Sequence, residues 1–187
     1  MTLEQLRAEG LGCTRCTLAD SRTQVVFGVG NPDAGLMFIG EGPGRDEDLQ
    51  GEPFVGRSGK LLDRLLAEEM GIDRTGCYIA NVLMCRPPGN RDPRPEEIES
   101  CRPHLQAKID LMRPRVIVTL GNFASRFVLD TTEGIRRLRG RVYPYGHGVV
   151  VPTYHPSAAL RSGGEVLAEM RADLVRAKQA LAGAPVP

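Results

Sequence analysis

Residues Phe38–Lys60 read FIGEGPGRDEDLQGEPFVGRSGK. The stretch opens as the end of an apolar strand, Leu36 to Gly40 (LMFIG). It then breaks into glycines, prolines, carboxylates and a lone Phe, and turns basic as a helix begins. That helix, Ser58 to Met70, has apolar residues at helical spacing and stops at Gly71. Strand, glycine-rich loop and helix in this order open an α/β unit, and the same alternation recurs downstream. Cys77 to Leu83 (CYIANVL) and Arg115 to Leu120 (RVIVTL) read as strands, and Pro95 to Met112 and Asn122 to Leu129 as helices. Arg141 to Tyr145 and Val149 to Thr153 read as strands joined by Gly146-His147-Gly148. Leu3 to Glu9 and Glu165 to Leu181 complete the pattern as helices, and Gly183 to Pro187 reads as a frayed tail.

Strands alternating with helices imply crossover connections and a mostly parallel sheet covered on both faces. The expected fold is α/β, a three-layer α/β/α sandwich with a central, mostly parallel four-stranded sheet. Such sheets bind ligands at the carboxyl ends of their strands. The segments after Gly40, Leu83, Leu120 and Thr153 should therefore converge, which places the odd mixture of residues 41–60 at a site. Two nucleotide motifs are excluded. Gly59-Lys60 lacks the first P-loop glycine, residue 54 being Phe, and Leu61 stands where Ser or Thr belongs. Gly40-Glu41-Gly42 lacks the third glycine of a dinucleotide fingerprint, because residue 45 is Arg.

The 187 residues suit one domain over 1–187, and 41% hydrophobic with 25% charged residues is a globular composition. No apolar run is long enough to span a membrane, and the polar N-terminus has no signal-like core, so a cytoplasmic location is expected. The net charge of +1 argues for no partner. Its distribution says more: Arg86, Arg91, Arg94 and Arg102 form one arginine cluster, and Arg136, Arg137, Arg139 and Arg141 another. Each reads as a phosphate-binding face or as a solvated surface.

Five cysteines in such a chain do not read as a disulfide framework. Cys13 and Cys16 form a CxxC. Cys85 ends a strand and Cys101 lies in a helix. Four thiolates of this spacing can hold an iron–sulfur cluster or a zinc ion; the alternative is a redox CxxC with two buried thiols. Cys77, at a strand start, reads as core.

Four collinear segments carry a family resemblance: LGCTRCTLADSRTQVVFGVGNPDAGLMFIGEGPGRDEDLQGEPFVGRSGKLLDRLL, YIANVLMCRPPGNRDPRPEEIESCRPHL, IVTLGNFA and LRGRVYPYGHGVVVPTYHPSAALR. Together they span most of Leu11 to Arg161, and the chain resembles the family 4 uracil-DNA glycosylases, the iron–sulfur branch of that superfamily. The resemblance implies a 4Fe-4S cluster on Cys13, Cys16, Cys85 and Cys101. It implies uracil-containing DNA, single- or double-stranded, as the partner, and hydrolysis of the N-glycosidic bond of deoxyuridine after the base is flipped from the stack. A monomer is expected.

Such an enzyme needs a stacking platform, an amide to read the base edge, a donor to the leaving oxyanion and a means of placing water. Phe54 offers the platform, though it also reads as a residue tucked under its own loop. Asn81 offers donor and acceptor to uracil, or else caps a loop. His155, which the family places on uracil O2, offers the oxyanion donor. His104 and His147 read as surface or structural. The superfamily often carries a water-positioning Asp where family 4 usually has Ala, and Gly42 stands there here. Glu41 is the nearest carboxylate for water placement or cation stabilisation; the alternative is that it only shapes the loop. Gly42 and Pro43 line the base, with Glu47 a secondary contact. Arg57, Ser58 and Lys60 on one side, and Ser157 and Arg161 on the other, are the expected DNA contacts. Leu160 is the candidate plug for the gap that the flipped base leaves, since Ala158 and Ala159 precede it.

A relative that becomes covalently trapped on DNA needs a His in the loop between the last two cluster cysteines. RPPGNRDPRPEEIES has none. The other readings are a non-catalytic iron–sulfur or zinc DNA-binding module, and a glycosylase for another deaminated base.

Overall fold

The computed structural model describes residues 1–183; of the expected frayed tail, residues 184–187 lie outside the described residues. Its strands are β1 (Val29–Gly30), β2 (Leu36–Gly40), β3 (Tyr78–Asn81), β4 (Val116–Leu120), β5 (Tyr143–Tyr145) and β6 (Gly148–Thr153). They form one six-stranded sheet in the order β1-β3-β2-β4-β6-β5. The inner four strands are parallel, with Phe38 opposite both Ile79 and Val118, and Val118 opposite Val151.

The expected four-stranded sheet is thus the parallel centre of a larger one, with β1 and β5 added antiparallel at the edges. Val29–Gly30 is too short to show a period of its own and is a strand only because Val29 pairs with Ile79. β5 pairs with β6 through the tight turn at Gly146-His147.

The helices are α1 (Leu3–Leu11), α2 (Leu18–Ser21), α3 (Arg45–Gln50), α4 (Arg57–Leu65), α5 (Pro95–Met112), α6 (Asn122–Leu129), α7 (Ile135–Leu138), α8 (Pro156–Ser162) and α9 (Gly164–Leu181). Local chemistry explains several boundaries. Thr2 and Gln5 form a reciprocal capping box at α1. Pro95 opens α5, where its missing N–H costs nothing, and the Glu97 carboxylate accepts from the Arg94 N–H at 3.3 Å. α4 widens into one π turn, Leu66–Met70, before Gly71 ends it in a left-handed conformation.

Alternation along the strands builds three layers. Leu36 and Phe38 of β2 face Leu62 and Leu65 of α4 and Met170 and Leu174 of α9. Met37 and Ile39 face the opposite way, with Leu105 and Ile109 of α5 and Ala124 and Val128 of α6. Complete burial of a side chain such as Phe38, 0% exposed, contributes ~1.5–3 kcal/mol. A third apolar cluster, built from Leu6, Leu18, Phe27, Met84, Cys85 and Cys101, fastens the N-terminal segment to α5 and to the chain that follows β3. No helix among the described residues is long and apolar enough to cross a membrane.

Candidate active site

Because β2, β3, β4 and β6 run parallel, their carboxyl ends open together. A cleft of about 760 Å³ lies there. Glu41 to Gly44 reach it from β2, Asn81 from β3, Gly121 from β4, and Tyr154 and His155 from β6. Phe54 and Ser58 close one side, and Asn90 to Pro93 another.

The floor is set by close packing. A Cβ on Gly40 would lie 2.5 Å from Asn81 Oδ1 and 2.6 Å from Phe54 Cζ, so only glycine lets these two side chains meet over the end of β2. Phe54 is 6% exposed, and its ring centroid lies 5.5 Å from that of His155 with the planes tilted by 32°. Asn81 is 3% exposed, and its Oδ1 has no hydrogen-bond partner. A buried carboxamide oxygen without a donor costs about 1–3 kcal/mol, which a ligand N–H placed there would recover.

His155 caps α8. Its Nδ1 accepts from the Ser157 backbone N–H at 3.1 Å, and the Ser157 hydroxyl lies 2.8 Å away. A backbone N–H can only donate, so Nδ1 is unprotonated and the proton of the neutral ring sits on Nε2. Burial, reinforced by the Arg161 charge, pushes its pKa down to about 4. The imidazole is therefore a neutral donor at ordinary pH. Two residues earlier, the Thr153 hydroxyl donates to Asp173 at 2.8 Å, and Asp173, 0% exposed, also accepts from Arg139 at 2.9 and 3.0 Å and from Arg176 at 3.0 Å.

Burial pushes the Glu41 carboxyl up to about 6, and the nearby charge of Asp92 adds to the effect. Glu47 also borders the cleft, but its carboxylate is occupied. Oε1 accepts from the Gly44 N–H at 3.0 Å, and Oε2 from the N–H groups of Val55 and Gly56 at 3.2 and 3.0 Å. It ties the Gly42–Gly44 loop to the Phe54 loop.

Of the residues singled out from sequence, Glu41, Gly42, Pro43, Glu47, Phe54, Asn81 and His155 all border the one cleft, as do Arg57, Ser58, Ser157 and Arg161. Lys60 and Leu160 are exposed and do not line it. Asp92 and Tyr154 were missed. The turn GNRDP, lying between Cys85 and Cys101, was the available signal for Asp92; Tyr154 reads as the end of a strand. The second arginine cluster does not act as one face, since Arg139 turns inward to Asp173 while Arg136, Arg137 and Arg141 stay exposed. His104 is buried at 4% exposure with Nε2 unpartnered, whereas His147 is exposed beside Arg113.

The cysteines lie outside this cleft. Cys13 and Cys16 are partly exposed, Cys85 and Cys101 are buried, and no disulfide joins any of the five cysteines. Arg22 bridges the knuckle to the core, donating to the Cys13 carbonyl at 2.5 Å and to Cys85 Sγ at 3.5 Å. Burial pushes the Cys101 thiol up to about 11, and Cys16, Cys85 and Cys101 pack in one apolar cluster. Among the described residues no three His, Cys, Asp or Glu side chains converge as they would on a single metal ion. Cys77 is buried in the main core, apart from these four.

A cleft at the carboxyl edge of a parallel sheet, floored by an aromatic ring and edged by an unpartnered carboxamide oxygen and a neutral imidazole, defines an α/β protein with its cleft where this class binds ligands. Comparison with known proteins agrees with this and is more specific. The sequence model of the uracil DNA glycosylase superfamily matches residues 27–181. A type-4 uracil-DNA glycosylase of Thermotoga maritima is 49% identical, over 80% of this chain and 79% of its own length. That of Archaeoglobus fulgidus is 47% identical over 85% and 83%, and that of Sulfurisphaera tokodaii 42% identical over 85% and 76%. The chain belongs to the uracil DNA glycosylase superfamily and groups there with the type-4 enzymes.

Proposed function

We propose that this protein hydrolyses the N-glycosidic bond of deoxyuridine in DNA, releasing uracil and leaving an abasic site. The observation that carries the reading is Asn81 Oδ1, buried beneath the cleft with no donor of its own. Uracil N3–H supplies that donor, and the carboxamide NH₂ of the same residue meets O4. Cytosine presents an acceptor at N3 and an amino group at position 4, and would leave both Asn81 groups unpaired.

The chemistry follows from the residues. The base leaves the stack and lies on Phe54. As the C1′–N1 bond breaks, its electron pair passes to the uracil ring, and negative charge grows on O2. The Nε2–H of neutral His155 donates to that oxygen; a preorganised donor of this kind contributes about 2.7–4 kcal/mol. Glu41, ionised above its raised pKa, faces the positive charge that develops on the sugar and can orient the water that attacks C1′. Water adds its oxygen to C1′, and its proton leaves to solvent or to the uracil anion. Glu47 contributes through the loop it ties. In this reading Arg57, Ser58 and Arg161, which line the cleft, and Lys60 and Leu160, which are exposed outside it, contact the backbone and fill the gap left in the duplex.

Cys13, Cys16, Cys85 and Cys101 fit an iron–sulfur cluster. The donor set is entirely thiol, Cys16, Cys85 and Cys101 pack in one cluster, and Arg22 links the Cys13 carbonyl to Cys85 and can donate to a ligand sulfur. Cys13 and Cys16 of the N-terminal knuckle, Cys85 after β3 and Cys101 of α5 would hold a 4Fe-4S cluster, which would tie these three segments together. In this reading the protein is a monomer and cytoplasmic.

An end-labelled oligonucleotide with a single uracil, incubated with the protein and heated in alkali, tests the proposal. Cleavage at uracil but not at thymine is expected, with Asn81→Asp slower by about 100-fold or more. Intact DNA from wild-type protein, or an undiminished Asn81→Asp, overturns it.

A further inference from the structure

Phe54 has φ 54°, in the left-handed region that a bulky side chain rarely occupies. Something must hold it there. One contact is steric: the Phe54 carbonyl packs against the first turn of α4, where a Cβ on Gly59 would lie 1.7 Å from the Phe54 oxygen. The other is Arg74, in the 3₁₀ turn just ahead of β3. Its Nη1 donates to the Pro53 carbonyl at 2.8 Å, its Nη2 donates to the Phe54 carbonyl, and its Nε donates to Asp63 Oδ1 of α4 at 2.7 Å. The turn itself is capped by Asp73, which accepts from the Thr75 N–H at 2.8 Å.

We propose that Arg74 is a positioning residue that locks the Phe54 platform in its strained conformation for stacking. The inference rests on the base-stacking role of Phe54 in the reading above. Three donors on one rigid plane reach two successive carbonyls and a carboxylate at once, which a flexible ammonium cannot do. Asp63 is half exposed, so the ion pair by itself contributes little to stability. What the guanidinium determines is the direction of the Pro53–Phe54 peptides, and with it the plane of the ring. The same short segment ends in Asn81, so the base's face and edge are referenced to one piece of chain.

A double-mutant cycle with steady-state excision of uracil from an oligonucleotide tests this. Base stacking on an aromatic ring is sequence-tolerant and strong enough that Phe54→Ala should lower kcat/KM by about 5- to 100-fold. Arg74→Ala should lose a comparable factor in the wild-type background and less than about 2-fold in the Phe54→Ala background, because it acts only through the ring. Arg74→Lys, which keeps the charge and most of the stem, should not restore the rate and serves as the second variant if Arg74→Ala folds poorly. Binding of a uracil-free duplex should not change. Equal losses in both backgrounds, full activity of Arg74→Lys, or no loss on Arg74→Ala overturns the proposal. Absence of excision by the wild-type protein instead overturns the functional reading on which it rests.

Discussion

Glu41 and His155 sit in one cleft, and burial moves them in opposite directions along the pH scale. The carboxyl rises to about 6 and the imidazole falls to about 4. Burial disfavours the charged form of each, which raises an acid and lowers a base. If the ionised Glu41 is the active form, kcat/KM for a uracil oligonucleotide rises from about pH 5 to pH 7 and is flat above. No limb from His155 should appear in that range, because the ring is already neutral. Glu41→Gln should remove the rising limb and lower the plateau. A rate that falls as pH rises through 6 would contradict both assignments. His155→Ala should slow excision by about 100- to 1000-fold with little change in DNA binding, measured by single-turnover kinetics.

At the scale of elements, β6 carries His155 and α9 fixes β6. The link is Asp173, fully buried on α9, which gathers donors from Thr153, Arg139 and Arg176. Removing the carboxylate takes this partner from Arg176 and leaves Arg139 only the longer contact to Glu169 at 3.8 Å, with both side chains largely buried, each about a fifth exposed. Breaking such a pair costs about 3 kcal/mol, the low end of the usual range because of that exposure. Asp173→Ala should lower Tm by roughly 6–12 °C in thermal unfolding followed by circular dichroism. A shift under about 2 °C would mean that the network is not the link between α9 and the strand. Arg139 was read from sequence as part of a basic surface. A run of arginines says nothing about which one meets a carboxylate 34 residues later.

Across the whole molecule, the N-terminal segment is held by one small apolar cluster, which includes Cys16, Cys85 and Cys101, and by Arg22 between Cys13 and Cys85. Purified protein should carry iron and sulfide with visible absorbance, and Cys101→Ser should lose both and unfold at lower temperature. Metal analysis that finds zinc, or no metal, would overturn the iron–sulfur assignment. The sequence alone determined the α/β class and the parallel centre, because LMFIG and VIVTL are apolar at every position or nearly so, as strands covered on both faces must be. It also brought Glu41, Asn81 and His155 to one cleft, since each follows a strand or ends one, and parallel strands bring such ends together. Only the tertiary structure decided the rest. The two-residue β1 exists through pairing with β3. The proton on His155 Nε2 follows from a contact with Ser157, and the unpartnered Asn81 oxygen from what packs around it. Arg74 reaches Phe54 across 20 residues of chain. Periodicity records which face of an element is buried, but hydrogen-bond partners, tautomers and pKa values depend on atoms brought close from elsewhere in the chain.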